Sequence, residues 1–370
     1  MSASREIKSF WWFPGNPDTR WFGTLTLVSG ETPQLELVIE RESPAHTAPE
    51  IGPVIHGKDE HGAPITLLFC SSPGGSSSGA VINLPITAGC ALLGIALPAA
   101  EAFVAHSLRF QLQHLHGWLD RSGFESVPPA NTFTFAVHFR QQSDLWFQVG
   151  PDLELGIHNT FHSHNGFQER RVSEDAALTF RSKSGASLKR CQELIGALRA
   201  LLHFASLKKV YPVWITAYQD GYGYQRGDTW HDQHIEVCNS ALREPESEYS
   251  FSDRWLFQFK DVSGDFAGFL GKWLDYHQTF SEAIGCYFST RYHSLTSELE
   301  HLSLTQALDA YHGVKFTSHD DQNFKQKVED LCRLHEPSLI GLVDDIPDFS
   351  EKVLRTRNYY THHKPRIMSG

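Results

Sequence analysis

Near its end the 370-residue chain reads Arg355-Thr356-Arg357-Asn358-Tyr359-Tyr360-Thr361-His362-His363, which sets a guanidinium and an imidazole five positions apart. Both groups suit phosphate chemistry. Histidine, with an unperturbed pKa of about 6.5, moves protons near neutral pH, and the planar fork of arginine grips two phosphate oxygens. Cleaving RNA without a metal needs a base for the ribose 2′-hydroxyl, a cation for the pentavalent phosphate and an acid for the leaving 5′-oxygen. Arg357 and His362 offer one cation and one proton-transfer group.

Spacing alone does not select this pair, because among 21 histidines the pattern recurs at Arg41/His46, Arg109/His114 and Arg226/His231. Arg41/His46 lies between Pro44 and Pro49 in what reads as a loop. Arg109/His114 belongs to a run whose strict apolar-polar alternation predicts a half-buried strand. Arg226/His231 spans the turn Gly227-Asp228-Thr229 between strand-like runs. Only Arg357/His362 falls on a predicted helix, and only there does Asn follow the Arg directly. Positions five apart on an ideal helix point about 140° from one another, so one protomer does not aim both groups at one phosphate. A two-fold axis beside the helix would gather two copies of the pair around one cleft.

The elements that must position the pair are helical. Apolar spacing predicts helices over 266–287, 295–311, 322–335 and 349–362, with Pro337 and Pro347 as stops and Asp348 or Ser350 as the cap of the last. Short connections suggest an α bundle. Upstream the periodicity changes to two, with strands predicted at 24–28, 34–39, 65–70, 81–84, 92–96, 133–139, 145–149 and 153–157, which argues a sandwich or a barrel-like sheet. Residues 115–119 suit a single helical turn. A mixed segment follows, with a strand at 176–180, a helix capped by Ser187, and strands at 210–218 and 231–237. The fold class is therefore α+β and multidomain: a β-rich region over 1–168, a mixed segment over 169–262 and a helical domain over 263–370.

Several tempting motifs carry little. Gly75-Ser76-Ser77-Ser78-Gly79 has the letters of a nucleophile elbow but lacks the strand-to-helix context, and reads as a loop. His158, His162 and His164 form a tract that could hold a metal, yet no fourth ligand is placed nearby, and a polar loop is the plainer reading. The glycines around Tyr222, Tyr224, Arg226 and Trp230 do not fit a dinucleotide fingerprint. A hairpin tip able to stack on a base or partner is expected there.

A net charge of −11 and a pI near 6.0 give no global attraction to nucleic acid, so any RNA contact must rest on a local patch. Six scattered cysteines without a C-x-x-C pair suggest reduced thiols in a cytoplasmic protein. Met1 to Lys8 lacks the apolar core of a secretory leader. The uncharged run 81–100 holds Pro85, Gly89, Gly94 and Pro98 and reads as two buried strands rather than a membrane span.

Arg357-Asn358-Tyr359-Tyr360-Thr361-His362, after amphipathic helices, resembles the Arg-Asn-x-x-x-His motif of the HEPN ribonuclease superfamily. Together with Phe10-Trp11-Trp12-Phe13-Pro14-Gly15-Asn16-Pro17, Gly23-Thr24-Leu25 and the run from Leu302 to His312, the chain resembles the ApeA-like HEPN group of bacterial phage-defence proteins. That resemblance implies a C-terminal HEPN domain with metal-independent endoribonuclease activity, no cofactor and no metal. It implies Arg357 and His362 as catalytic groups, and Asn358 as an orienting or capping one. Lys352, Arg355, Lys364 and Arg366 would form the local basic patch, and Tyr359, Tyr360 and His363 would stack or hydrogen-bond to RNA. The implied partners are an RNA substrate, a second copy meeting through the helical domain, and a phage-derived trigger on the N-terminal region. In such domains further helical sequence usually follows the motif helix, whereas Gly370 stands eight residues after His362. The contrasting expectation is a non-enzymatic sensor or interaction scaffold with an incomplete HEPN domain.

Overall fold

Period-two alternation becomes strand, and the change to helical spacing after residue 258 becomes helix. The structure is a computed structural model that describes residues 4–40, 49–78, 80–127, 136–165, 170–226, 229–245, 254–316 and 322–362. It divides into two units, residues 1–271 and 272–370. The fold is α+β.

The first unit begins with seven strands: β1 (Arg5–Phe13), β2 (Asn16–Leu27), β3 (Gln34–Glu40), β4 (Val54–Lys58), β5 (Pro64–Ser71), the short β6 (Ser76–Ser78) and β7 (Val81–Leu93). Pairing runs β7-β3-β2-β1-β4-β5, and β5 pairs with β7 again, so the circuit closes into a barrel. Closure works because β7 is long. Its residues 81–87 face β3, and its residues 87–93 face β5. Trp11 is fully buried inside, with Leu25, Leu37, Leu67 and Ile86 around it, and its indole donates to the Gly23 carbonyl at 3.2 Å. A Cβ on Gly57 would overlap the Trp11 ring, so glycine there is what lets β4 approach.

An open antiparallel sheet continues from the same strand, since Ala91, Leu92 and Leu93 of β7 also pair with a later strand. Its elements in chain order are β8 (Val104–Leu112), α1 (Leu115–Leu119), the hairpin β9 (Phe124–Val127) and β10 (Ala136–Phe139), β11 (Leu145–Gly150), β12 (Leu153–Asn165), β13 (Arg170–Ser187), α2 (Leu188–Ser206), β14 (Pro212–Arg226), β15 (Thr229–Cys238) and α3 (Phe259–Val262). The order is β7-β15-β14-β8-β13-β12-β11, with β9 and β10 forming a separate pair. Ser187 accepts from the Arg190 amide and caps α2, which packs on β8 and β13. Under it lie Leu108, Phe110, Leu155, Ile157, Leu178 and Phe180, all nearly inaccessible.

Several expectations need correction. Residues 81–93 form one strand rather than two with a turn, because both of its edges are engaged by neighbours. Ser76, Ser77 and Ser78 pair with β7 and are not a free loop. The histidine tract lies in β12, paired through to Asn165 with β13, and the sheet thereby crosses the boundary expected at residue 168. Residues 41–48, which hold the Arg41/His46 pair, and the expected strand positions 133–135 lie outside the described residues.

The last elements are α4 (Phe266–Thr279), α5 (Ser281–Tyr292), α6 (Ser297–Lys315), α7 (Phe324–Leu334), α8 (Glu336–Leu339) and α9 (Ile346–His362). The helix expected over 266–287 is two, broken at Phe280, whose buried ring packs against Tyr276 and Tyr311 at 4.2 and 5.0 Å. Pro337 and Pro347 are not stops but first-turn residues of α8 and α9, where a missing amide costs no helical hydrogen bond. Asp345, rather than Asp348 or Ser350, caps α9 by accepting from the Asp348 amide at 2.8 Å. Phe324, Val328 and Cys332 of α7 form the core of the second unit with Leu308, Leu339, Ile346, Val353 and Leu354.

Candidate active site on the last helix

Helix α9 carries the whole Arg357 to His362 motif on one continuous backbone. It is anchored by Val353 and Leu354 on the α7 core, with Ser350 fully buried. That anchoring fixes the rotation of the helix, and so decides which motif residues face outward.

Arg357 is half-buried. Its guanidinium carbon lies 4.6 Å from the centre of the Phe324 ring, a cation–π contact. No carboxylate pairs with it among the described residues. Thr361 donates its hydroxyl to the Arg357 carbonyl at 2.7 Å, within the last turn. Asn358 and Tyr359 are exposed, Tyr359 at 60%. Tyr360 is half-buried, 5.7 Å from the ring of His301 and 5.4 Å from that of Tyr359. His362 is the final residue of α9, and its side chain lies outside the described residues, as do His363, Lys364 and Arg366.

The expected basic patch is partly matched by carboxylates one turn back. Lys352 pairs with Asp348 at 2.6 Å and Arg355 with Glu351 at 2.7 Å, and Lys325 also reaches Glu351 at 3.2 Å. Hydrogen bonds from Arg355 and then Lys325 hold the Glu351 carboxyl below the usual carboxylate range. The Asp348 carboxylate raises the Lys352 ammonium. Arg357 therefore differs from its neighbours in meeting an aromatic ring instead of an acid.

Phe324 escaped the sequence reading as a site residue. At the start of α7 it looked only like part of an apolar stripe, and nothing in the local pattern links it to Arg357 across 33 positions. His158, which the sequence placed in a tract, pairs through Nδ1 with Asp144 at 2.7 Å, while the side chains of His162 and His164 lie outside the described residues. Tyr224 stacks on His231 near the β14–β15 turn, whose residues 227 and 228 lie outside the described residues.

The barrel, the open sheet joined to it through β7 and the helices that follow define an α+β chain with a large β-rich N-terminal unit. Residues 6–273, more than half of the chain, match the family described as ApeA N-terminal domain 1, and the chain belongs to that family, which is associated with phage defence. No curated protein and no solved structure matches it. No helix among the described residues is long and apolar enough to cross a membrane.

Proposed function

We propose that the chain is a metal-independent endoribonuclease of the HEPN class acting in phage defence, with Arg357 and His362 as its reacting pair. The observation that carries this is an Arg-Asn-x-x-x-His sequence on one helix, its arginine unpaired with any described carboxylate, downstream of an ApeA N-terminal domain. Arg357 would hold two phosphate oxygens as negative charge builds on the pentavalent phosphorus. His362 would take the 2′-hydroxyl proton as the 2′-oxygen bonds to phosphorus, and the protonated imidazole of a second copy across a two-fold axis would give a proton to the 5′-oxygen as its bond to phosphorus breaks. The β-rich unit would sense the trigger and restrain the nuclease. Cytoplasmic location and a homodimer through the helical unit belong to the same proposal.

A second reading is a non-enzymatic sensor or scaffold, favoured by the pairing of Lys352 and Arg355 with acids, which weakens the patch that RNA would need. Cleavage assays on purified protein separate the two. Cleavage that survives EDTA and leaves 2′,3′-cyclic phosphate or 3′-phosphate ends supports the nuclease, because the 2′-hydroxyl is then the nucleophile. Cleavage abolished by EDTA, 3′-hydroxyl ends, or unchanged cleavage in His362→Ala overturns it.

A further inference from the structure

The outward face of the open sheet forms a trough that the nuclease reading does not use. Alternation sends Leu108, Phe110, Leu178 and Phe180 beneath α2, so Arg109, Thr179 and Arg181 stand together on the opposite face. Two adjoining hollows of about 530 and 420 Å³ open there, and Arg109 and Tyr218 line both. Register places Arg109 opposite Thr179 and Arg181 two residues further along, so the two arginines are diagonal neighbours about 7–8 Å apart at the backbone.

Each guanidinium lies over an indole ring. Arg181 lies 3.9 Å from the ring centre of Trp146, and Arg109 lies 5.9 Å from that of Trp214. Among the described residues neither has an acceptor for its N–H edge, and the Nε of Arg109 is buried without a partner. The acids nearby are differently placed. Asp152 accepts the Ser182 hydroxyl at 2.9 Å, Asp175 the Gln111 amide at 3.0 Å and Asp232 the Trp230 indole at 2.8 Å. Bonds from neutral donors leave these three carboxylates charged, and with Glu154 and Asp220 five acids line the trough beside Arg109, Arg181 and Lys183, so phosphate would be held at the two guanidinium groups and not by the trough as a whole. A guanidinium beside an indole, with no acceptor on its N–H groups among the described residues, is suited to take phosphate oxygens in pairs. Trp214 is itself fixed, donating to the Gln111 carbonyl at 2.7 Å while the Gln111 amide donates to Asp175. A flat ring held in place beside the Arg109 guanidinium, with Arg181 further along the same face, suits an elongated ligand with both a ring and phosphates.

We propose that this trough binds a nucleotide, with its phosphates on Arg109 and Arg181 and its base against Trp214 and Tyr218. Glu154, opposite Arg181 in register, offers an acceptor for sugar hydroxyls. The site does not depend on the activity of α9. Titrating the intact chain with the four common ribonucleoside triphosphates and with inorganic tripolyphosphate, read by tryptophan fluorescence, tests it without RNA. At least one nucleotide should give a saturable change. Arg109→Gln with Arg181→Gln should weaken its binding by about tenfold or more at an unchanged melting temperature. Trp214→Leu should weaken nucleotide binding but not tripolyphosphate binding. The proposal is overturned if no triphosphate binds saturably, if tripolyphosphate binds as tightly as every nucleotide, or if the double variant binds like the wild type. If the double variant melts early, the single Arg181→Gln change, at an exposed position, replaces it and must show a loss of its own.

Discussion

The Arg357 guanidinium rests 4.6 Å from the centre of the Phe324 ring, which joins the motif helix to the first residue of α7. Phe324 fills the core with Val328 and Cys332 and, under the nuclease reading, would also steady the fork that meets phosphate. Phe324→Ala should cost about 3–5 kcal/mol, read by urea denaturation. Phe324→Leu keeps most of the packing and removes the π face. Under the nuclease reading it should lower cleavage several-fold at a stability loss of less than about 1.5 kcal/mol, and cleavage unchanged in this variant would show that the ring only packs.

Under the nuclease reading Arg357→Ala should abolish cleavage, whereas Arg357→Lys should keep a small part of it, because an ammonium is a point charge without the bidentate fork. Circular dichroism melts of both variants separate lost chemistry from lost folding. Equal activity of the lysine variant and the wild type would remove the bidentate role.

Glu351 masks two cations, Arg355 and Lys325. Glu351→Gln should strengthen binding of a non-cleaved RNA and steepen its salt dependence, since each released cation adds about one phosphate contact. The same release should occur in the wild type as pH falls through the folded pKa of Glu351, which lies below its ordinary value. The intramolecular pairing is present above the unfolded pKa and lost as the carboxylate protonates. Filter binding at graded salt and pH reads both. An unchanged salt slope in the variant would mean that RNA does not approach this face.

Burial pushes the thiols of Cys70, Cys90 and Cys191 up to about 12. At pH 8 they should resist a thiolate-selective reagent in the folded protein and react once it is unfolded. A raised acid pKa makes the unfolded state the one that loses the proton first. Stability should therefore fall as pH rises from about 9 toward 12, by about 1.4 kcal/mol per pH unit for each thiol. Rapid labelling of the native protein at pH 8 would contradict the burial.

Gly57 lies against the Trp11 indole closely enough that a methyl group there would overlap the ring. Gly57→Ala should cost about 1–3 kcal/mol through overpacking. It should also red-shift the tryptophan emission as water reaches the barrel interior. Gly15, with open space around its missing Cβ, serves as the control, and its alanine variant should melt with the wild type.

Much of this was local enough to be legible in the sequence. Alternation gave the β-rich region, helical spacing gave the second unit, Ser187 gave the start of α2, and the Arg357 motif drew attention to α9. Each of these depends on residues a few positions apart, where side-chain type and backbone period are sufficient. Boundaries failed where two local signals competed, as at Pro347, which can end a helix or begin one, and at the histidine tract, whose polarity suggested a loop.

The contacts between distant segments were decided by tertiary structure alone. Closure of the barrel depends on β5 returning to β7, a pairing chosen by the twist and length of the whole circuit and not by any short pattern. Arg109, one of four arginines with a histidine five positions on, gains its neighbours Arg181 and Trp214 only through the registers of β8 with β13 and β14. Phe324 meets Arg357 because two amphipathic helices bury their apolar faces together, and that packing sets which side chains come face to face. Sequence determined the residue types and the periods, while burial of apolar surface across long separations decided which of them meet.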